Sequence, residues 1–313
     1  MAILRPLPEE LVHRISGSSI PLANEVTMPR ILVSNGNIGS HVAEILANRG
    51  ESVRMMVRGI ESNRRWDELG IEQFAVDLDN RDSLTPAFAN VDRFFCVTPF
   101  VANLAELGRN AVAAAKQAGV RHIVRSSIIG ASPTGIAVAR WHWEVEREVE
   151  ASGIPFTILQ PNTFMQSCLG NASSIAADNA FYLPQGDSRV SMVDTRDIAA
   201  VAATCLVEPG HAGKRYVVTG TEALSNFDVA DRLSALLGRK ITYVDVTPEQ
   251  MEQSLAGAGV PAWMSEALLE LFAICKQGFA ADVSPTVARI CQRPPLSFER
   301  FLRDHAAAFN QSL

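Results

Sequence analysis

The chain has 313 residues, 47% hydrophobic and 20% charged, enough apolar material for one large α/β domain or a domain with a smaller lobe. A formal charge of −6 and a pI near 5.6 give no electrostatic basis for binding nucleic acid, and no apolar run approaches the roughly 18 residues that would suggest a membrane span. The five cysteines are scattered without a CxxC pair and the six histidines show no metal-ligand spacing, so a metal site is not expected and a reducing, cytoplasmic setting is.

Residues 1–28 stand apart as an N-terminal extension. Pro8 to Ile15 reads as two helical turns, broken by Ser16-Gly17-Ser18-Ser19, and Met28 is an alternative start just before the first strand. Two glutamates interrupt the place where the apolar core of a signal peptide would lie. From Arg30 strands and helices alternate. Strands are expected at 30–34, 52–57, 72–76, 91–97, 122–125 and 156–160, with helices at 38–48, 64–69, 82–89, 102–117 and 136–152 between them. This rhythm predicts an α/β fold, a doubly wound parallel Rossmann sheet with helices on both faces.

After Pro161 the alternation loosens. A helix is expected over 162–181, a turn at Tyr182 to Asp187, short strands at 190–193 and 216–219, and helices at 195–207, 226–237, 248–256, 263–272 and 297–309. The expected division is a nucleotide-binding core at 29–165, to which 190–220 returns, and a smaller C-terminal substrate lobe made of 166–189 and 221–313.

The stretch Arg30-Ile31-Leu32-Val33-Ser34-Asn35-Gly36-Asn37-Ile38-Gly39 is a buried strand, a glycine turn and a helix start, the arrangement that brings backbone N–H groups to a pyrophosphate. Gly36 and Gly39 supply close approach, and Asn35 is expected to take the left-handed conformation of an absent glycine. The alternative is a turn that has kept the fold and lost the phosphate. At the end of strand two stands Arg58, with Arg54 nearby, where a ribose-binding acid would select NAD; an arginine fork suits a 2′-phosphate, so NADP(H) is expected, with NAD(H) as the alternative. Thr98-Pro99-Phe100, after strand four, falls at the carboxyl edge of the sheet, where ligands bind.

Taken in order, Gly36-Asn37-Ile38-Gly39, Val124-Arg125-Ser126-Ser127 with Gly130-Ala131, the run from Glu146 to Pro161, Val193-Asp194-Thr195-Arg196-Asp197 and Arg293-Pro294-Pro295 resemble the NmrA-like branch of the atypical short-chain dehydrogenase/reductase superfamily. The resemblance implies an NAD(P) cofactor. It places Asp77-Leu78 against adenine, Pro161-Asn162 beside the nicotinamide, Ser127 at the catalytic serine and His142 at the catalytic lysine position of the isoflavone-reductase branch. The tyrosine position falls on Val138, which disfavours tyrosine-driven carbonyl chemistry. His142 can donate or accept a proton, although it also flanks an apolar stripe of Val138, Trp141, Val145 and Val149 and fits a bonded core-edge histidine.

A site with Ser127 and His142 but no tyrosine suits a quinone, enone or similar small aromatic acceptor, because the charge added by hydride is delocalised. The expected function is an NAD(P)H-dependent reductase of such a molecule. The alternative is a non-catalytic NADP-sensing regulator acting through a protein partner, as some members of the family it resembles do. Trp263, Met264 and Phe272 are expected to be core, and Asp194 and Asp197 to fix the lobe junction and cap a helix.

Overall fold

The computed structural model describes residues 29–59 and 64–310, so the expectations for residues 1–28 lie outside the described residues. Six strands alternate with five helices from Arg30 to Pro161: β1 Arg30–Ser34, α1 Asn37–Asn48, β2 Ser52–Val57, α2 Arg64–Glu68, β3 Glu72–Ala75, α3 Arg81–Ala87, β4 Arg93–Cys96, α4 Leu104–Gln117, β5 His122–Ser126, α5 Ala137–Ala151 and β6 Phe156–Pro161. The chain then runs through a 3-10 turn, Met165–Asn171, into α6 Ala172–Asp178, β7 Ala180–Leu183, β8 Arg189–Val190, α7 Thr195–Val207 and β9 Lys214–Val218. The remainder is β10 Leu224–Ser225, α8 Asn226–Leu237, β11 Thr242–Asp245, α9 Pro248–Gly257, α10 Ala262–Lys276, α11 Thr286–Cys291, α12 Phe298–Asp304 and α13 Ala306–Asn310.

Seven strands form one parallel sheet in the order β3-β2-β1-β4-β5-β6-β9. The order reverses between β1 and β4, which opens a crevice beyond their carboxyl ends. Successive side chains point to opposite faces of the sheet: Ile31 and Val33 join α1 and α7 in one core, while Leu32 joins Phe88, Phe94, Ala111 and Val149 in the other. Both faces are covered, so the strands read as nearly continuous apolar runs.

The segment 195–218 returns to the sheet. The α7 helix packs on α1, and β9 extends the sheet beyond β6 with Gln160 opposite Val217. Asp194 begins α7 by accepting the Arg196 N–H, and its carboxylate also holds the Arg196 side chain and Gln166. Asp197 accepts from Arg293 and from the Leu296 N–H, tying α7 to the chain near the C-terminus.

The smaller layer differs from expectation in its strands. The helix expected over 162–181 ends at Asp178 with Asn179 in the left-handed conformation, and β7 follows where a helix end and turn were expected. β7 pairs in parallel with β11, about sixty residues away in sequence, a contact that no local pattern announces. The strand expected at 190–193 is the pair Arg189–Val190, antiparallel to β10, and Val193 makes only an isolated bridge with Phe164. The expected helix at 297–309 is divided at His305 into α12 and α13. Phe181, Tyr243, Phe298, Phe301 and Phe309 fill a separate core beneath these elements.

Candidate functional site

The crevice at the carboxyl edge of the sheet is a cavity of about 1250 Å³. It runs from the ends of β3 and β2, past the turn after β1, to the loops after β4, β5 and β6, and α10 also lines it. The candidate site residues Ser34, Asn35, Gly36, Asn37, Ile38, Arg58, Asp77, Leu78, Thr98, Pro99, Ser127, His142, Pro161 and Asn162 line it, whereas Gly39 does not and lies behind the turn against Ser34. The neighbouring positions Phe100 and Val138 lie on the same wall.

The turn after β1 is built around two glycines with different duties. Gly36 has φ 132°, a backbone geometry that side-chain-bearing residues rarely adopt, and a Cβ there would meet nothing within 4 Å. A Cβ on Gly39 would sit 1.8 Å from the Ser34 carbonyl oxygen, so only glycine lets α1 start this close to β1. Asn35 does not take the expected left-handed conformation. Its Oδ1 instead accepts from the Gly36 N–H at 2.7 Å and from the Ser40 hydroxyl at 3.2 Å, and Gly36 makes the turn. Gly36 caps α1 without a side-chain bond, which leaves the first-turn N–H groups open toward the cavity.

Arg58 is exposed at the end of β2, on the cavity wall, and makes no hydrogen bond or ion pair with the described residues. Arg54 is different. Its side chain is buried and bonds Glu72 and the carbonyls of Pro86, Ala87 and Ala89, so it braces β2 against β3 and α3 and takes no part in the cavity. The Asp77 turn is held by Ser83, which donates to the Asp77 carbonyl and accepts its N–H, while the Leu78 carbonyl accepts from Asn110.

Farther along, Ser127 is buried and its hydroxyl has no partner among the described residues. Its N–H bonds the Leu159 carbonyl, which fixes the backbone while the hydroxyl remains available to a ligand. His142 faces the same cavity from α5. Its Nδ1 lies 3.2 Å from the Arg125 guanidinium, which is fully buried and also donates to the Cys96 carbonyl and to Thr98 Oγ1. Burial first, and the Arg125 charge second, hold the His142 imidazole well below its ordinary pKa, so it is neutral near pH 7.

Asn162 lines the cavity, but its amide is committed elsewhere. It donates to Ser191 Oγ and the Ala280 carbonyl and accepts from the Thr163 N–H, so it shapes the wall. Arg125 is the residue that sequence reasoning passed over, although it sits inside the Val-Arg-Ser-Ser motif. A charge at an inner position of a central strand was the available signal, since arginine is almost never fully buried without a role. Trp263, Met264 and Phe272 do not line the cavity; Leu271, Ile274 and Cys275 of α10 do, with Phe279 beyond them, 68% exposed. Trp263 instead packs against the rings of Phe100 and Trp141.

The residues present fit a dinucleotide. The uncapped helix start and the open space over Gly36 suit a pyrophosphate, and the cavity is long enough to continue past Ser127 to a second ligand. A doubly wound parallel sheet with such a turn at its switch point defines a nucleotide-binding α/β protein of the Rossmann type. Within that class the chain belongs to the NmrA-like family, whose profile matches residues 29–296.

It is 39% identical over 280 residues to the NAD(P)H azoreductase of Xenophilus azovorans, covering 89% of this chain and 98% of that protein. Among solved structures it resembles the NADPH-dependent quinone oxidoreductase QOR2 of Escherichia coli in complex with NADPH, with a TM-score of 0.81 at 25% identity, covering 88% of this chain and 99% of that one. The triphenylmethane reductase of Citrobacter sp. gives a TM-score of 0.79, also at 25% identity, over 90% of this chain and 100% of that one. No helix among the described residues is long and apolar enough to cross a membrane.

Proposed function

We propose that this protein is an NADPH-dependent reductase of a small quinone, enone or similar conjugated aromatic acceptor. The observation that carries the reading is the pairing of the unpartnered, buried Ser127 hydroxyl with His142 on one cavity, downstream of an open glycine turn. The relatives support it, since one is named for azo reduction and another for quinone reduction.

Bound NADPH would supply a hydride, and a quinone that takes this hydride and one proton becomes a hydroquinone, leaving NADP⁺. The chain's own residues divide the remaining work. The N–H groups at the start of α1 hold the pyrophosphate, and Arg58 meets the 2′-phosphate. Asp77 and Leu78 flank the adenine, Thr98 and Pro99 line the way to the nicotinamide, and Pro161 and Asn162 shape its far wall. Ser127 and His142 hydrogen-bond the acceptor atom on which negative charge gathers. Leu271, Ile274 and Cys275 exclude water above them, which strengthens those bonds.

Val138 is buried and cannot donate a proton, so an unactivated ketone, which becomes a localised alkoxide, is a poor substrate. In this reading residues 29–165 with 190–220 hold the nucleotide, while 166–189 and 221–313 cover the acceptor. The test is anaerobic NADPH oxidation by the purified protein with quinone, enone, azo and simple ketone acceptors. Oxidation with the conjugated acceptors alone is expected. Saturable NADPH binding without oxidation across the panel would instead favour a nucleotide-sensing regulator that works through a protein partner.

A further inference from the structure

We infer that Arg125 is a positioning residue for this reaction: it holds His142 as the Nε2–H tautomer, so that His142 serves the acceptor as a neutral hydrogen-bond donor and not as an imidazolium acid. The inference rests on the reductase reading for its catalytic meaning, and on the geometry alone for the tautomer.

A guanidinium has only N–H donors. At 3.2 Å from Arg125 Nη2, His142 Nδ1 must therefore offer its lone pair, and a neutral ring then carries its proton on Nε2. Arg125 is itself fixed. It rises from β5, is fully buried, and donates to the Cys96 carbonyl and to Thr98 Oγ1 at the end of β4, so the ring of His142 rests on a rigid base.

The charges around the pair leave Arg125 positive. None of its contacts is a carboxylate. Glu146, one turn beyond His142 on α5, is the acid whose charge acts on Arg125, but its two oxygens are bonded by Gln160 and Arg215. Glu144 of α5 pairs with Arg109 of α4, and Glu270 of α10 bonds the Ala137 N–H. Cys96 of β4 is buried and its thiol is pushed up by that burial, so it adds no negative charge near neutrality. A buried cation without a bonded carboxylate is costly to maintain, which is the pattern of a group kept for a site.

The consequence is electrophilic assistance. As the acceptor takes two electrons and a hydrogen nucleus from NADPH, negative charge grows on its oxygen or nitrogen. The Nε2–H bond strengthens toward that charge, and the cation on Nδ1 polarises the ring in the same sense. The anion takes its proton from solvent once the product leaves the water-excluding pocket, and His142 keeps its own.

Nitrogen-15 NMR of the histidine rings in the full chain without nucleotide tests this, with the His142 signals identified by their loss in His142→Gln. Between about pH 6 and pH 8 the expected state is protonated Nε2 and bare Nδ1. An Nδ1–H tautomer or an imidazolium in that range overturns the inference. In Arg125→Gln, which keeps an N–H donor and removes the charge, His142 should titrate at higher pH. The acceptor-dependent kcat should fall at least tenfold with the KM for NADPH unchanged, and an acidic limb should enter the pH–rate profile. An unmoved kcat and profile would also overturn it. If Arg125→Gln does not fold, the wild-type spectrum decides alone. If the tautomer is as stated but no acceptor oxidises NADPH, the reductase reading fails and the assignment of Arg125 to His142 stands.

Discussion

The Glu270 carboxylate accepts the Ala137 backbone N–H at 2.7 Å, so a helix of the smaller layer closes the open start of the helix that carries His142. Ile136, at the cap position of α5, has no side-chain bond to offer, and Glu270 supplies it from 133 residues away. The cover over the cavity and the orientation of His142 are therefore one mechanical unit. Glu270→Ala should cost about 1 kcal/mol of stability, the usual value of a lost cap, and raise the KM for the acceptor. The Kd for NADPH should stay unchanged, because Glu270 bonds the start of α5 and makes no hydrogen bond to the glycine turn after β1. Thermal melting and a comparison of acceptor KM with nucleotide Kd check this; an equal loss in both would contradict it.

The two glycines of the first turn should separate when each is replaced by alanine. In Gly39→Ala the new methyl would collide with the Ser34 carbonyl, so the start of α1 must move, and both stability and nucleotide binding should be lost. In Gly36→Ala there is room for the methyl, but the backbone is strained by about 1–3 kcal/mol and the methyl points into the open space over the turn. The fold should survive with a lower melting temperature and NADPH affinity should fall at least tenfold. Calorimetric titration of both variants distinguishes these outcomes.

Arg58 carries the choice between the two nicotinamide cofactors. It is exposed on the cavity wall without a partner among the described residues, whereas Arg54 is fully engaged in the fold. A charge-assisted bond contributes about 1.5–3 kcal/mol, so Arg58→Ala should weaken NADPH by roughly tenfold to a hundredfold and leave NADH unchanged. An unchanged preference in paired titrations would remove Arg58 from the 2′-phosphate site.

The contrast between these two arginines marks where sequence reading succeeds. The β1 turn, the alternating elements and the cavity-lining loops are legible because their signals are local: apolar period, glycine spacing and strand ends. Arg54 and Arg125 are both arginines within strands, and only the packing shows that each lies inside the molecule. Arg54 was read as a cofactor neighbour and is a brace; Arg125 was not singled out and supports His142. The pairing of β7 with β11 is likewise nonlocal, and Asn35 was assigned a backbone conformation when its contribution is a side-chain oxygen.

Acid should destabilise the protein through its buried histidines. Burial lowers the pKa of His122 to about 4, lowers that of His211, and lowers that of His142 well below 6.5. Thr157 donates to the His211 carbonyl and lies 3.1 Å from His122 Nε2, so His122 donates to it as a neutral ring. The unfolded chain takes up protons near pH 6.5 while the folded rings do not, so stability rises with pH across this window. For His122 the loss begins as pH falls below about 6.5 and levels off near pH 4. The melting temperature should therefore fall between about pH 7 and pH 5, and His122→Gln should reduce the slope; a flat profile would contradict the burial of these rings.

The most direct test of the central claim is single-turnover NADPH oxidation by the purified protein with a naphthoquinone, under anaerobic conditions, beside Ser127→Ala and His142→Gln. The account predicts stoichiometric conversion of NADPH and quinone to NADP⁺ and hydroquinone. Both variants should bind NADPH as the wild type does and turn over at least tenfold more slowly. Wild-type protein that binds NADPH and leaves it unoxidised, or variants that turn over at the wild-type rate, would contradict it.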